Sequence, residues 1–300
     1  MKLNKLSLKD KEIFLKYLSL TQPRLSVYNF ANIYIWGALF SIYWALIQGS
    51  LCIFFKDKMG CFLYLPPLTK TIRPEAIAEA FKIMDGFNKN KDISRIENIE
   101  EQDAPFYRDL GYECRYKSSD YLCLKDNLAH LRGNRFKSKR ACFNYFIKHY
   151  AFQYLSFSLD YKDACLKLYN SWMRNRKAQN KNPVYQGMLD DNLSSLKILL
   201  DAYSNLDCLG RVVRIDKTIK AFTFGFKLSK DTFCILYEIT DLSIKGLSQF
   251  IFRKFCSESE LEDYKYINIM DDSGLENLKR TKLSYHPLKL IPAYIVTRGK

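Results

Sequence analysis

The sequence predicts a mixed α/β protein built as two lobes, and three observations carry that prediction. First, 48% of the 300 residues are hydrophobic and Tyr and Phe number 21 each, enough for extensive cores and too much for a disordered chain. Second, stretches with helical spacing alternate with short runs of β-branched and aromatic residues, punctuated by turn residues. Third, that alternation runs twice, either side of a basic stretch. It places one lobe at residues 1–130, a connecting segment at 131–159 and a second lobe at 160–300.

The elements follow in order. Ser7 with Asp10 opens a helix whose apolar face is Ile13, Phe14, Tyr17 and Leu18. Between Arg24 and Lys56 no charged residue occurs, and Tyr34 to Phe55 has the length of a membrane span. Turn chemistry at Gln48-Gly49-Ser50 and at Asp57-Lys58-Met59-Gly60 favours a buried three-stranded meander ending near Leu65 instead. Pro74 suits a first helical position, and Ile77, Ala80, Phe81, Met84 and Phe87 continue that helix. Strands are expected over Ile93 to Ile99, and as a pair over Tyr112 to Tyr116 and Asp120 to Leu124.

In the second lobe, Cys165, Leu168, Tyr169 and Trp172 mark one helix, and Leu193, Leu196, Leu199, Leu200 and Tyr203 another. Three strands follow, Gly210 to Ile215, Ile219 to Lys227 and Thr232 to Ile239, the first two joined at Asp216-Lys217. A helix over Ser243 to Cys256, a strand over Tyr264 to Met270, a short helix opened by a Ser273/Glu276 capping box and a last strand from Lys289 to Thr297 complete the chain.

Composition narrows the function classes. Nine cysteines, an odd number with no CxxC, and three histidines away from any cysteine pair argue against a disulfide framework or a zinc site. They fit thiols in a reducing, cytoplasmic compartment, and the first residues carry no apolar signal core. GxSxG, Walker and HExxH motifs are absent. The formal net charge of +15 fits a phosphate-bearing partner or an anionic membrane surface.

The order helix, helix, three strands, helix, strand, helix, strand is that of a GNAT-type acyltransferase lobe, and the first lobe reads as a degraded copy. Specific residues extend the likeness. They are the run Asn29 to Trp36; Asp120-Tyr121 followed by Leu128, Leu131, Gly133, Phe136, Lys139, Arg140 and Phe143; Phe222 to Gly225; Gly246; Asn268 with Asp271 to Leu275; and Lys282, Tyr285 and Pro287. In these motifs, over nearly its whole length, the chain resembles the C-terminal catalytic domain of phosphatidylglycerol lysyltransferases. The resemblance implies two GNAT-like acyltransferase lobes, each a mixed sheet flanked by helices. It implies an acyl or aminoacyl transferase moving an activated group to an amine or hydroxyl. The donor would be aminoacyl-tRNA by preference and acyl-coenzyme A second, as co-substrates and not as tightly bound cofactors. The alternative is a non-catalytic module, binding a phosphate ligand or nucleic acid, on a degenerate acyltransferase fold. Two departures from the family pattern bear on this: Ile239 stands where a lysine would follow Glu238, and Met270 where a glutamate is common.

Candidate residues follow. From Asp126 to Asp160 no carboxylate intervenes, while Arg132, Arg135, Lys137, Lys139, Arg140 and Lys148 alternate with Phe136, Phe143, Tyr145 and Phe146. Such a stretch either binds donor phosphates, with Arg132, Arg135, Lys139 and Arg140 as contacts, or is a solvated connector with buried aromatics. Backbone donors between Ser243 and Gly246 are a second place for a phosphate. Glu238 ends an otherwise apolar strand, as a general base or as a structural partner, with Asp241 the other candidate base or a helix cap. Tyr285 is a proton donor for the leaving group or scaffold. Asn268 and Asp272 sit where a strand meets a helix, to position a substrate or to cap, and Trp36 and Lys282 join them as substrate contacts through the resemblance. No metal site is expected.

Overall fold

Gln48 and Gly49, with φ of 50° and 75°, close the two-residue turn that the sequence requires between two apolar strands. Most of the segment with the length of a membrane span is therefore a hairpin, its strands paired from Ser41↔Lys56 to Ile47↔Ser50. A computed structural model describes residues 2–299. Among these, no helix is long and apolar enough to cross a membrane. All nine cysteines are thiols.

In chain order the elements begin with β1 (Asn4–Lys5), α1 (Lys11–Leu18), α2 (Phe30–Ile35), β2 (Ser41–Ile47), β3 (Ser50–Lys56) and β4 (Cys61–Leu63). Next come α3 (Pro74–Phe87), β5 (Ile96–Glu100), α4 (Ala104–Asp109), β6 (Tyr112–Leu124), α5 (Lys125–His130) and α6 (Lys137–His149). They continue with β7 (Gln153–Ser156), α7 (Lys162–Gln179), α8 (Pro183–Ala202), β8 (Cys208–Ile215), β9 (Thr218–Lys227) and β10 (Thr232–Thr240). The last are α9 (Leu247–Cys256), β11 (Tyr266–Asn268), α10 (Glu276–Leu283) and β12 (Lys289–Arg298).

Two compact units emerge. The first holds the chain through Tyr121, the segment Asp271–Lys279 and the residues from Leu290 on. The second holds Leu122–Met270 and Arg280–Lys289. The contiguous division expected at 1–130 and 160–300 differs because the last strand returns: β12 pairs antiparallel with β5, Ala293 opposite Glu100. Nothing local in residues 289–298 specifies that partner, since pairing is set by which edge the folded sheet leaves open. The basic stretch 131–159 lies inside the second unit, where α6 is one of its packed helices.

The first unit orders its strands β1-β2-β3-β4-β5-β12-β6. Its N-terminal turn carries the expected capping box, the Ser7 amide donating to Asp10 Oδ2 at 2.8 Å. Pro74 starts α3, which buries Ala76, Ile77, Ala80, Phe81 and Met84. One expectation fails here. Tyr112 to Leu124 is one strand of 13 residues and not a hairpin. Lys117, read as part of a turn, stays in the strand and donates to Glu97 at 2.6 Å and to Asn98 at 2.9 Å. The last three residues of β6, Leu122 to Leu124, belong to the second unit and pair there with β11.

The second unit orders its strands β6-β11-β10-β9-β8-β7. β8, β9 and β10 form an antiparallel meander with Asp216 and Lys217, at φ of 46° and 63°, closing its first turn. β11 then joins β10 in parallel, as a helix crossover through α9 demands. Phe146, Val213, Ile215, Ala221, Leu247, Phe250 and Ile251 form a core that pins α6 and α9 to the sheet, with Phe143 against it. The capping box expected at Ser273 does not form. Ser273 is left-handed at φ 52°, and Asp272 instead closes the turn, its carbonyl taking the Leu275 amide at 2.8 Å.

Candidate active site

The parallel pair β10–β11 is short. Its ladder covers only Thr232 to Cys234, after which β11 stops at Asn268 and β10 runs on to Thr240. Within that extension the pairing with β9 shifts register between Ile235 and Tyr237, a bulge that re-aims the side chains beyond it. Glu238 lies just past the bulge, opposite Thr223. The bulge turns Tyr237 toward α8, where its hydroxyl donates to Asn192 O at 3.2 Å.

Glu238 is an unusual carboxylate. Although part of its side chain reaches solvent, Oε2 is shut off from water and has no hydrogen-bond partner. Burial pushes its pKa from an ordinary 4.5 up to about 8, against the pull of Lys139. Lys139, on α6, donates from Nζ to Ser284 Oγ at 2.8 Å and sits 3.6 Å from the centre of the Tyr285 ring. Burial lowers the Lys139 pKa, partly offset by Cys142 and Glu238. Tyr285 is buried, its ring 4.3 Å from that of Phe252, and burial followed by the Glu238 charge holds its phenol well above the usual range. Of the predicted residues, Lys139 and Tyr285 therefore touch, and the charge of Glu238 acts on both. Ser284, which steadies Lys139, was not among them; as an exposed loop serine it carries no signal in the sequence.

The other candidates have different settings. Asp241 pairs with Lys220 at 2.9 Å and accepts from the Ser243 hydroxyl at 2.6 Å. Despite partial burial these contacts hold its carboxyl below the usual range, so it is an ionised loop cap and a poor base. Arg140, one residue from Lys139, turns away and clamps the carbonyls after α5, donating to Leu131 O and, at 2.6 Å, to Gly133 O. Arg132 and Arg135 are exposed; Arg132 lies 4.0 Å from Asp126, and Arg135 lies over the neighbouring Phe136 ring.

Gly246 has a packing role. A Cβ there would stand 2.1 Å from Cys142 O, so only glycine lets α6 meet the start of α9, and at φ 83° the backbone itself favours glycine. Three amides here are bonded within the loop. Ser243 N donates to Asp241 Oδ1 at 3.1 Å, Ile244 N to Asp241 O at 3.2 Å and Leu247 N to Ile244 O at 3.3 Å. The Ser243 and Ile244 amides are therefore not available to a pyrophosphate.

Asn268 is fully buried and takes the Met270 amide at 2.6 Å, while Lys282 donates to Ile269 O; both hold the turn that leaves β11, where Met270 is left-handed at φ 60°. Trp36 and Asp272 belong to the first unit. The Trp36 indole donates to Asn32 at 3.2 Å, and Asp272 accepts from the Tyr121 hydroxyl and from the Gly274 amide. An open depression of about 630 Å³ near β7, lined by Phe152, Gln153, Arg214 and Lys217 among others, is separate in the chain from all of these residues. Among the described residues no group of three potential metal ligands forms.

Comparison with known proteins places this geometry. The family model "Phosphatidylglycerol lysyltransferase, C-terminal" matches residues 19–297. A conserved protein of unknown function from Bacteroides thetaiotaomicron is similar in structure, with a TM-score of 0.87, 22% identity and 99% of both chains covered. L-PGS from Bacillus licheniformis gives a TM-score of 0.67 at 16% identity, covering 98% of this chain and 93% of that one. A tandem GNAT protein from the clavulanic acid biosynthesis pathway gives 0.51 at 9% identity, covering 100% and 99%. No protein of curated function matches the sequence.

Proposed function

The chain belongs to the family of phosphatidylglycerol lysyltransferase C-terminal domains, and from that premise we propose that it transfers an aminoacyl group from aminoacyl-tRNA to an amine or hydroxyl, with Glu238 as general base. Family and fold are those of an acyltransferase-type protein with two GNAT-like units. The observation that carries the finer reading is Glu238 itself. A carboxylate held near pKa 8, with one oxygen buried and unpartnered beside a bulged strand, is poised to take a proton. A carboxylate serving only structure would be expected to spend both oxygens on hydrogen bonds.

In the proposed step the acceptor nitrogen or oxygen attacks the ester carbonyl carbon of the donor. Its proton passes to the ionised Glu238 carboxylate. The carbon–oxygen bond to the donor ribose then breaks, and that oxygen leaves with a proton, for which the neutral Tyr285 phenol or solvent is the source. Tyr285 would regain its proton from Glu238 or water, closing the cycle.

The choice of donor rests on the loop before α9. The Ser243 and Ile244 amides are engaged within the loop and Gly246 is pressed against α6, which weakens the case for a coenzyme A pyrophosphate there. The exposed cations Arg132, Arg135 and Lys137 offer a tRNA backbone the contacts it needs. Single-turnover transfer from charged tRNA, and in parallel from acyl-coenzyme A, tests the reading. Glu238→Gln is expected to slow tRNA-dependent transfer by about a hundredfold or more. Full activity in the variant, or transfer from acyl-coenzyme A alone, refutes it.

A further inference from the structure

α6 has a second face, built from residues that the core does not use. Phe143 and Phe146 pack the helix against α9 and the sheet. Lys137, Ala141, Tyr145, Lys148 and His149 recur at spacings of three and four on a different face. Lys137, Lys148 and His149 are exposed, and Tyr145 is half-buried. The Tyr145 and His149 rings are stacked, with 4.0 Å between their centres and 19° between their planes. A 2.8 Å hydrogen bond between His149 Nδ1 and Tyr145 O, one helical turn back, holds the imidazole in that position.

Tertiary packing adds two further parts. Lys245 Nζ stands 4.5 Å from the centre of the Tyr145 ring. It comes from the loop before α9, which approaches α6 so closely that a Cβ at Gly246 would stand 2.1 Å from Cys142 O. Two residues past His149 begins the open depression of about 630 Å³, lined by Ala151, Phe152, Gln153, Arg214, Asp216 and Lys217. Two residues of chain span at most about 7 Å, so the depression opens beside the stack. Its two cations outnumber the one carboxylate, and Arg214 is steadied by Gln153, Nε donating to Oε1 at 2.8 Å.

Helix stability does not account for the ring pair. A surface helix gains as much from a Glu–Lys pair at the same spacing, yet from 127 to 159 the chain has no carboxylate at all. Stacked rings at the surface, mobile cations around them and no carboxylate on the helix suit a ligand with bare aromatic faces and phosphates, which describes unpaired nucleotides. A duplex keeps its base faces inside and would use the cations alone. We infer that this face of α6 is a stacking shelf for an unpaired stretch of RNA, with one base on His149 and adjoining phosphates at Lys148, Lys245, Arg214 and Lys217. The choice of RNA as the partner rests on the reading of charged tRNA as the donor.

The probe is an oligouridine of about ten nucleotides with a central 2-aminopurine, whose fluorescence falls on stacking, titrated with the full chain; the same strand annealed to its complement is the control. Wild-type protein should quench the single strand and bind it more tightly than the duplex. His149→Ala should weaken single-strand binding by roughly 5- to 150-fold, the worth of one stacked base, and remove the quench while leaving duplex binding within about twofold. His149→Phe should restore both, since the shelf needs a ring and not an imidazole. Lys245→Gln should flatten the slope of log affinity against log salt by about 0.7, the single-strand value for one phosphate contact. Wild-type protein that leaves the probe unquenched or binds the duplex as tightly, or His149→Ala protein that binds the single strand as wild type does, overturns the inference. Single-turnover transfer from charged tRNA by the same proteins separates the two readings. Transfer by the wild type with probe binding unaltered in His149→Ala defeats the shelf and leaves the donor reading, whereas probe binding that depends on His149 in a protein without tRNA-dependent transfer upholds the shelf and defeats the donor reading.

Discussion

Replacing Glu238 by glutamine has a consequence for stability whose sign differs from that of most buried polar substitutions. In the folded protein the carboxyl binds its proton with a pKa near 8, and once exposed it returns to about 4.5. Between those values the folded state holds more protons than the unfolded one, so raising the pH weakens the fold. Below 4.5 both states are protonated and the penalty vanishes; above 8 both are ionised and it is constant. For those two pKa values the linkage integral from pH 5 to pH 8.5 comes to about 4 kcal/mol, and water reaching part of the side chain reduces it to about 2–4 kcal/mol. Glutamine carries no such dependence. The variant should be near wild type, or about 1 kcal/mol weaker, at pH 5, and more stable by about 1–4 kcal/mol at pH 8.5. Urea denaturation of both proteins at pH 5, 7 and 8.5 reads this as diverging midpoints. Parallel midpoints across that range would mean that Glu238 ionises normally, and the argument for its catalytic role would fall with it.

Two further outcomes follow from the geometry. Gly246→Ala should lower stability by about 3 kcal/mol, since the new Cβ meets Cys142 O at 2.1 Å in a left-handed backbone; thermal denaturation with an unchanged midpoint would contradict the packing at α6 and α9. Arg135 and Arg140 should separate cleanly. Arg135→Ala is expected to weaken tRNA binding and flatten the slope of log affinity against log salt by about 0.9. Arg140→Ala should leave that slope alone and cost about 1–3 kcal/mol of stability through the orphaned carbonyls of Leu131 and Gly133, and equal slopes for both variants would remove Arg135 from the donor surface.

Much of the fold is legible because local chemistry dictates it. Gln48-Gly49 and Asp216-Lys217 can hardly be anything but tight turns between strands, and Pro74 can only open a helix. Elements fail where two local solutions have similar energy. Lys117-Ser118-Ser119 reads as a turn, yet the strand continues because Glu97 and Asn98 receive the lysine. Ser273 followed by Glu276 reads as a capping box, yet Asp272 takes over the turn.

The same boundary divides the site. By itself the sequence determined the α/β class, the order of the elements, the strand that ends in Glu238 and a helix carrying both Lys139 and Arg140. Only the tertiary structure decided which of that adjacent pair reaches Tyr285. Neighbours on a helix point about 100° apart, and the rotation of α6 is fixed by Phe143 and Phe146 settling against the core of α9 and the sheet. That packing sends Lys139 to Ser284 and Tyr285 and Arg140 to Leu131 and Gly133. Burial of Glu238 Oε2 was decided there too, because the proton affinity of a carboxylate depends on what surrounds it, and the groups that feel its charge come from α6, α9 and the loop after α10, far apart in the chain.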